Sequence, residues 1–344
     1  MKIKLLCILI LTIFYLPNTF GHNVDIKILK ELNATLYSLY TPKDTITFIK
    51  TDTNTTLTKP TLLFCQGSMP IPLIISYKRD EYYFALFNFD YEKIAEKYNL
   101  IIIAMPHTPA VAKVEQLNSQ SLYVPDTSHP ELLDKSYSLD NYLDKYVERA
   151  NQVISYVLSQ SWAYSDSLYV FGHSQGAVIS VEIARTNEKV KAIAYSSGNP
   201  DGRATGEIKK IRNNVAQKKI TQEEAQVQLS KLYAWWKDIC TSKKPNNYAG
   251  DLPQTWQSFS ISHRDALAHL KIPVFIAYGT EDVATASGCE LMPIYFELNH
   301  KTNYQMYPVV GGGHNFEEFT DNGKPNYEKM HWQEVMDHFI EFIK

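Results

Sequence analysis

Leu168-Tyr169-Val170-Phe171-Gly172-His173-Ser174-Gln175-Gly176-Ala177-Val178-Ile179 is the stretch that decides how this chain folds. An apolar run leads into Gly172, and an almost unbroken apolar segment from Ala177 to Ala184 follows Gly176, so a strand gives way to a buried helix across one sharp turn. Ser174 stands at the centre of that turn in a Gly-x-Ser-x-Gly pentapeptide. A serine hydroxyl reacts only when it projects into open space, with a base on one side and hydrogen-bond donors on the other, and a tight strand-to-helix turn gives it that projection. The turn crowds its own backbone, which accounts for glycine at 172 and 176. By itself the pentapeptide also fits a Gly-rich turn with an incidental serine; between a strand and a helix it predicts a nucleophile elbow and calls for an acid and a histidine downstream.

Outward from the elbow, strand-like runs alternate with helical patterns and no internal repeat interrupts them, the order expected of a mostly parallel α/β sheet flanked by helices. Upstream lie early strands over 37–48 and a short buried strand over 61–65 that ends in Gln66-Gly67-Ser68. A helix over 91–98 precedes a strand over 100–105, whose continuous apolar character suits a central parallel strand covered on both faces. Ser138 is placed to cap a helix from 139 to about 160, with Tyr142, Tyr146, Ala150, Val153 and Val157 on one face. Downstream the spacing predicts strands over 190–195, 273–278 and 304–309 and a helix from 289 to about 298. A final amphipathic helix is expected over 327–343, with Met330, Val335, Phe339 and Phe342 inward. Residues 203–269 differ in character, being polar, helical in pattern and marked by Trp235, Trp236 and Trp256, and read as an insertion.

The acid and the histidine arrive where later strands end. Gly279-Thr280-Glu281-Asp282 follows the strand over 273–278, and Gly311-Gly312-Gly313-His314 follows the last strand. In open α/β sheets the carboxyl ends of the strands form the working rim, so loops distant in sequence converge there. The elbow, followed by Asp282 and His314 in that order, resembles the α/β-hydrolase superfamily over essentially the whole mature chain, 22–344.

The resemblance implies an α/β-hydrolase fold with Ser174 as nucleophile, His314 as general base and Asp282 as the acid that orients it, with no metal and no organic cofactor. It implies oxyanion donors from the backbone N–H of Gln175 and from the loop after an earlier strand, at Ser68. Many members carry His-Gly in that loop, where this chain has Gln66-Gly67. Glu281 and Asp201 are rival acids, while His173 reads as a packing or hydrogen-bonding residue and His107 and His263 as incidental. The insertion stands where this superfamily places a lid, so about 203–269 is expected to cap Ser174, with Trp235 and Trp236 either walling the pocket or packing a small subdomain. Met69, Ile71 and Pro72 are candidates for an acyl pocket.

Composition and targeting bound the rest. A formal net charge of −3 over 344 residues offers no basic field for nucleic acid and no acidic tail. Lys2 and Lys4, the apolar run 5–16 and Thr19-Phe20-Gly21 read as a cleaved signal peptide over 1–21, too short to span a bilayer, so the protein is expected to be secreted or periplasmic without stable membrane insertion after cleavage. Cys7 would leave with the signal. Cys65 reads as a buried thiol, Cys240 and Cys289 are open to pairing in an oxidising compartment, and Asn33 and Asn54 head glycosylation sequons. The function expected is an exported serine hydrolase acting on the carboxylic ester of a small-molecule or short acyl substrate. A serine peptidase or thioesterase of the same fold is the alternative, with Glu223 or Glu224 able to anchor a peptide terminus, and an inactive binding protein is the non-enzymatic one.

Overall fold

Runs of β-branched and aromatic residues bounded by turns build the strands β1 (Ala34–Tyr40), β2 (Thr45–Thr51), β3 (Lys59–Cys65), β4 (Asn99–Ile103), β5 (Ala163–His173), β6 (Val190–Ser196), β7 (Val274–Gly279) and β8 (Tyr304–Val309). The structure, a computed structural model, describes residues 26–344 except 43, 78–80 and 242–249; the expected signal peptide lies outside them. The eight strands form one sheet in the order β1-β2-β4-β3-β5-β6-β7-β8. β2 runs antiparallel to both neighbours and the remaining pairs are parallel.

Two-residue alternation sends each strand's side chains into two separate cores. Leu63, Val170, Ile193 and Ile276 face helices α1 (Leu143–Leu158) and α2 (Gln175–Thr186). Their sequence neighbours Leu62, Phe64, Phe171 and Phe275 face the opposite way. Between β6 and β7 lie α3 (Arg203–Ala216), α4 (Gln222–Thr241), α5 (Pro253–Phe259) and α6 (Arg264–His269). The C-terminal α7 (Trp332–Phe342) buries Val335, Met336, Phe339 and Ile340 against the second face. Phe339 sits edge-on to Phe171 at 5.4 Å, and each fully buried side chain of this size contributes about 1.5–3 kcal/mol. Among the described residues no helix is long and apolar enough to cross a membrane.

Three expected helices are divided differently, each for a local reason. In place of one helix capped by Ser138, Asp134 caps Lys135–Asp140 through hydrogen bonds from the N–H groups of Ser136 (2.6 Å) and Tyr137 (3.0 Å). The chain then breaks at Asn141, whose buried amide donates to Asp251 and accepts from the Tyr146 hydroxyl, before α1 begins. Residues Pro325–Met330 are not the start of the last helix but a strand paired with Glu317–Phe319. A proline at its first position and a partner strand within reach override the helical period there. The helix expected over 289–298 is two, Ala286–Glu290 and Met292–Leu298, the second with Pro293 in its first turn, where a missing N–H costs no hydrogen bond. Cys65, Cys240 and Cys289 are free thiols; Cys289 is buried and Cys240 exposed, so no disulfide joins them.

Candidate active site

The elbow is set by steric exclusion around one residue. Ser174 has φ 56° and ψ −117°, a conformation that costs a non-glycine residue about 1–3 kcal/mol, and the Ser174 N–H is tied to the Ser196 carbonyl at 2.8 Å. A Cβ at Gly172 would lie 2.1 Å from the Gly176 carbonyl oxygen, and one at Gly176 would lie 2.0 Å from that of Cys65, so both positions exclude any side chain. The hydroxyl is left standing at the carboxyl end of β5, with the N-terminus of α2 behind it.

The loops after β7 and β8 bring the expected partners to it. His314 Nε2 lies 2.9 Å from Ser174 Oγ, and His314 Nδ1 lies 2.6 Å from Asp282 Oδ2. The two loops fit backbone to backbone, since a Cβ on Gly279 would meet the Gly313 carbonyl oxygen at 2.1 Å. Asp282 is buried and also accepts from Thr285 Oγ1 at 2.5 Å and the Ala284 N–H at 3.1 Å. Burial opposes its charge, yet the hydrogen bond and charge of His314, with the Thr285 and Ala284 donors, hold its carboxyl below the ordinary value of 3.8. For His314 burial disfavours the cation, but the hydrogen bond and charge of Asp282, and after them the charge of Glu317, raise its pKa above 6.5; Lys210 acts the other way.

The rival acids are engaged elsewhere. Glu281 is exposed, and Asp201 is ion-paired with Lys209 at 3.1 Å and with Arg264. His173 is buried, with burial pushing its pKa down to about 3, and the neutral ring bridges Ser196 Oγ (3.0 Å) and Asn315 Oδ1 (3.2 Å). It thereby ties the residue before Ser174 to the residue after His314. Asn315 is in turn fixed by its own N–H, which donates to Glu317 at 2.7 Å. His107 pairs with Asp140 at 2.8 Å and His263 is buried against Glu182 at 3.3 Å, so both hold elements together instead of being incidental.

A cavity of about 310 Å³ opens beside Ser174 and His314. Gln175 and Ser68 both line it. The Gln175 N–H begins α2 and has no acceptor within the helix, and Gly67 approaches so closely that a Cβ there would lie 3.5 Å from Ser174 Cβ. Met69, Ile71 and Pro72 are not among the described lining residues. Met69 takes φ 92° and its carbonyl accepts from the Ile71 N–H at 2.9 Å, so the chain turns away after Ser68. The opposite wall comes from Arg203, Glu207 and Lys210 of α3 and from Trp256 and Phe259 of α5. Trp256, not Trp235 or Trp236, is the tryptophan at the cavity; Trp235 backs it edge-on at 4.9 Å and Trp236 packs against Trp235. Glu224 is spent on a capping box with Thr221, and Glu223 lies exposed in the same first turn of α4.

Thr285, Asn315, Glu317 and the charged face of α3 escaped the sequence reading. Thr285 alone carried a legible signal, a hydroxyl three residues after an acid at a helix start. Among the described residues no group of three or more His, Cys, Asp and Glu side chains is placed to hold a metal ion.

No protein-family model and no curated protein sequence matches this chain. Solved structures match it in shape. DcsB, determined in complex with its substrate analogue, superposes with a TM-score of 0.53 at 14% identity, over 90% of this chain and 98% of DcsB. The acylaminoacyl peptidase of Pyrococcus horikoshii gives 0.53 at 13% identity, over 93% of this chain and 43% of the peptidase. Dipeptidyl peptidase 4 of Porphyromonas gingivalis gives 0.52 at 10% identity, over 90% and 35%. The chain thus spans less than half the length of these two peptidases. With the strand order described above, the likeness shows that the chain has the α/β-hydrolase fold.

Proposed function

We propose that this protein is an exported serine hydrolase that cleaves carboxylic esters through an acyl-enzyme. The observation that carries the reading is the unbroken relay Ser174 Oγ, His314 Nε2, His314 Nδ1, Asp282 Oδ2, with steps of 2.9 and 2.6 Å, at the edge of an open cavity. Ser174 attacks the acyl carbon while His314 Nε2 takes its proton, and His314 returns that proton to the leaving alcohol. Water then enters by the same route and frees the acid. The N–H groups of Gln175 and Ser68 receive the developing oxyanion, and Asp282 stabilises the transient imidazolium. Nucleophile, base and oxyanion donors all come from the chain, so the reading assigns no metal or organic cofactor. Export rests on the signal-like residues 1–21.

A fluorophosphonate probe will label the wild-type protein and leave Ser174→Ala unlabelled. The variant will lose at least ~10⁴-fold in kcat on short aryl esters while melting near the wild-type temperature. A folded wild-type protein that resists the probe defeats the enzymatic reading, and faster turnover of aminoacyl amides than of esters replaces the esterase with a peptidase.

A further inference from the structure

If Ser174 is the nucleophile, the wall opposite it sorts substrates by charge. α3 turns Arg203, Gly206, Glu207 and Lys210 toward the cavity, spaced three, four and seven residues apart on a single helical face. The charged lining it supplies is two cations and one carboxylate. Arg203 is already engaged: it ion-pairs with Asp251 Oδ2 at 2.7 Å, and its guanidinium lies over the ring of Trp256, a fellow lining residue, 3.9 Å from the centroid. Lys210 is held more loosely, by Glu207 at 2.8 Å, with side-chain exposures of 55% and 36%. An exposed pair of this kind contributes little, and an ammonium has three protons to give, so Lys210 can turn to a stronger acceptor.

A second, independent observation lies across the cavity at Ser197. This residue follows β6, takes φ 46°, is 1% exposed and lines the cavity, yet its hydroxyl has no hydrogen-bond partner among the described residues. A buried hydroxyl left unpaired, on a backbone strained for a side chain, is not explained by packing. An acceptor that arrives with a ligand would supply the missing partner.

We propose that the cavity selects esters that carry a free carboxylate, such as half-esters of dicarboxylic acids, with Lys210 receiving the carboxylate and the Ser197 hydroxyl donating to a further acceptor of the same substrate. The opposite choice, a substrate amine held by Glu207, would displace Lys210 from its partner and leave that ammonium facing the amine. The carboxylate removes that conflict.

The test compares three para-nitrophenyl esters of matched length: the half-ester of adipic acid, the hexanoate, and the ω-trimethylammonio pentanoate. At low ionic strength kcat/KM for the adipate half-ester should exceed that for the hexanoate by about tenfold, chiefly through KM, and the ratio should shrink as salt is added. Lys210→Gln should bring the ratio to about one, and Ser197→Ala should lower it. Because the readout is a ratio, loss of folding or of Ser174 reactivity, which depresses both rates, does not imitate the effect. Equal rates for the adipate half-ester and the hexanoate overturn the proposal while leaving the hydrolase reading intact. Preference for the cationic ester, abolished by Glu207→Gln, replaces it with an amine-bearing substrate. Turnover of none of the three, together with failure of the fluorophosphonate probe, defeats both.

Discussion

Asp282→Asn places the whole relay under test, because the new amide has no orientation that preserves it. In one orientation the carbonyl oxygen keeps His314 Nδ1 and Thr285 Oγ1, and the NH₂ group is driven against the Ala284 N–H, donor against donor. In the other the carbonyl keeps Ala284 and the NH₂ group donates to His314 Nδ1. The imidazole proton then sits on Nε2, 2.9 Å from Ser174 Oγ, where no lone pair remains to act as base. Either way the full charge beside Nδ1 is gone. Sites with this geometry lose on the order of 10⁴ in kcat when the acid becomes an amide, which raises the barrier by about 5 kcal/mol. Steady-state turnover of a short aryl ester and the rate of fluorophosphonate labelling should fall together, while a thermal melt shows a folded protein. Glu317 gives the comparison its edge, since its carboxylate also favours the His314 cation. A loss of less than about tenfold in Asp282→Asn, with a larger one in Glu317→Gln or Asp201→Asn, would falsify the assignment of the acid.

Because Asp282 and Glu317 raise His314 above 6.5, and the base acts when neutral, kcat/KM should climb with pH along a limb centred above 6.5, and Asp282→Asn should move that limb down; a limb at or below 6.5 in the wild type counts against the geometry. For stability the signs differ between the partners: the raised His314 supports the fold below 6.5 and loses that support as pH rises through its folded value, whereas the lowered Asp282 supports it above 3.8 and loses that support as pH falls through its own. Denaturant titrations across both windows check each sign. Asn315→Ala, which cuts the tie to His173, should lower kcat by about 10–100-fold with KM nearly constant, because a small displacement of the base is costly; unchanged kcat would show that the bridge does not position His314.

The parts of the site read from sequence were those announced by backbone punctuation. Gly172 and Gly176 around Ser174, Gly279 before Asp282 and the glycine run before His314 mark strand ends whatever the tertiary setting, and the sheet places such ends on a common rim. What escaped depended on neighbours remote in sequence. Asn141 breaks a helix because Asp251 and Tyr146 satisfy its amide, and Pro325–Met330 is a strand because Glu317–Phe319 lies alongside. The charges of Arg203, Glu207 and Lys210 have the same spacing as a solvated helix face, and only the fold shows that this face looks onto Ser174. Trp256 only marked the insertion, while Trp235 and Trp236 were the expected pocket walls, and which of them meets the cavity was a matter of tertiary packing.

The separation of Ser174 from His314 by 140 residues also governs when the chain becomes reactive. While β6 is undocked the Ser174 N–H has no Ser196 carbonyl to hold it, and nothing compels the backbone to stay at φ 56°. The residue relaxes into an ordinary conformation and its hydroxyl is no better a nucleophile than any other serine's. On the proposed mechanism, reactivity requires that β7 and β8 have joined the sheet and delivered Asp282 and His314, a step that rests on long-range pairings. On that reading a chain in which β7 and β8 are undocked would leave esters intact, and recovery of reactivity after dilution from denaturant would report the docking of these two strands.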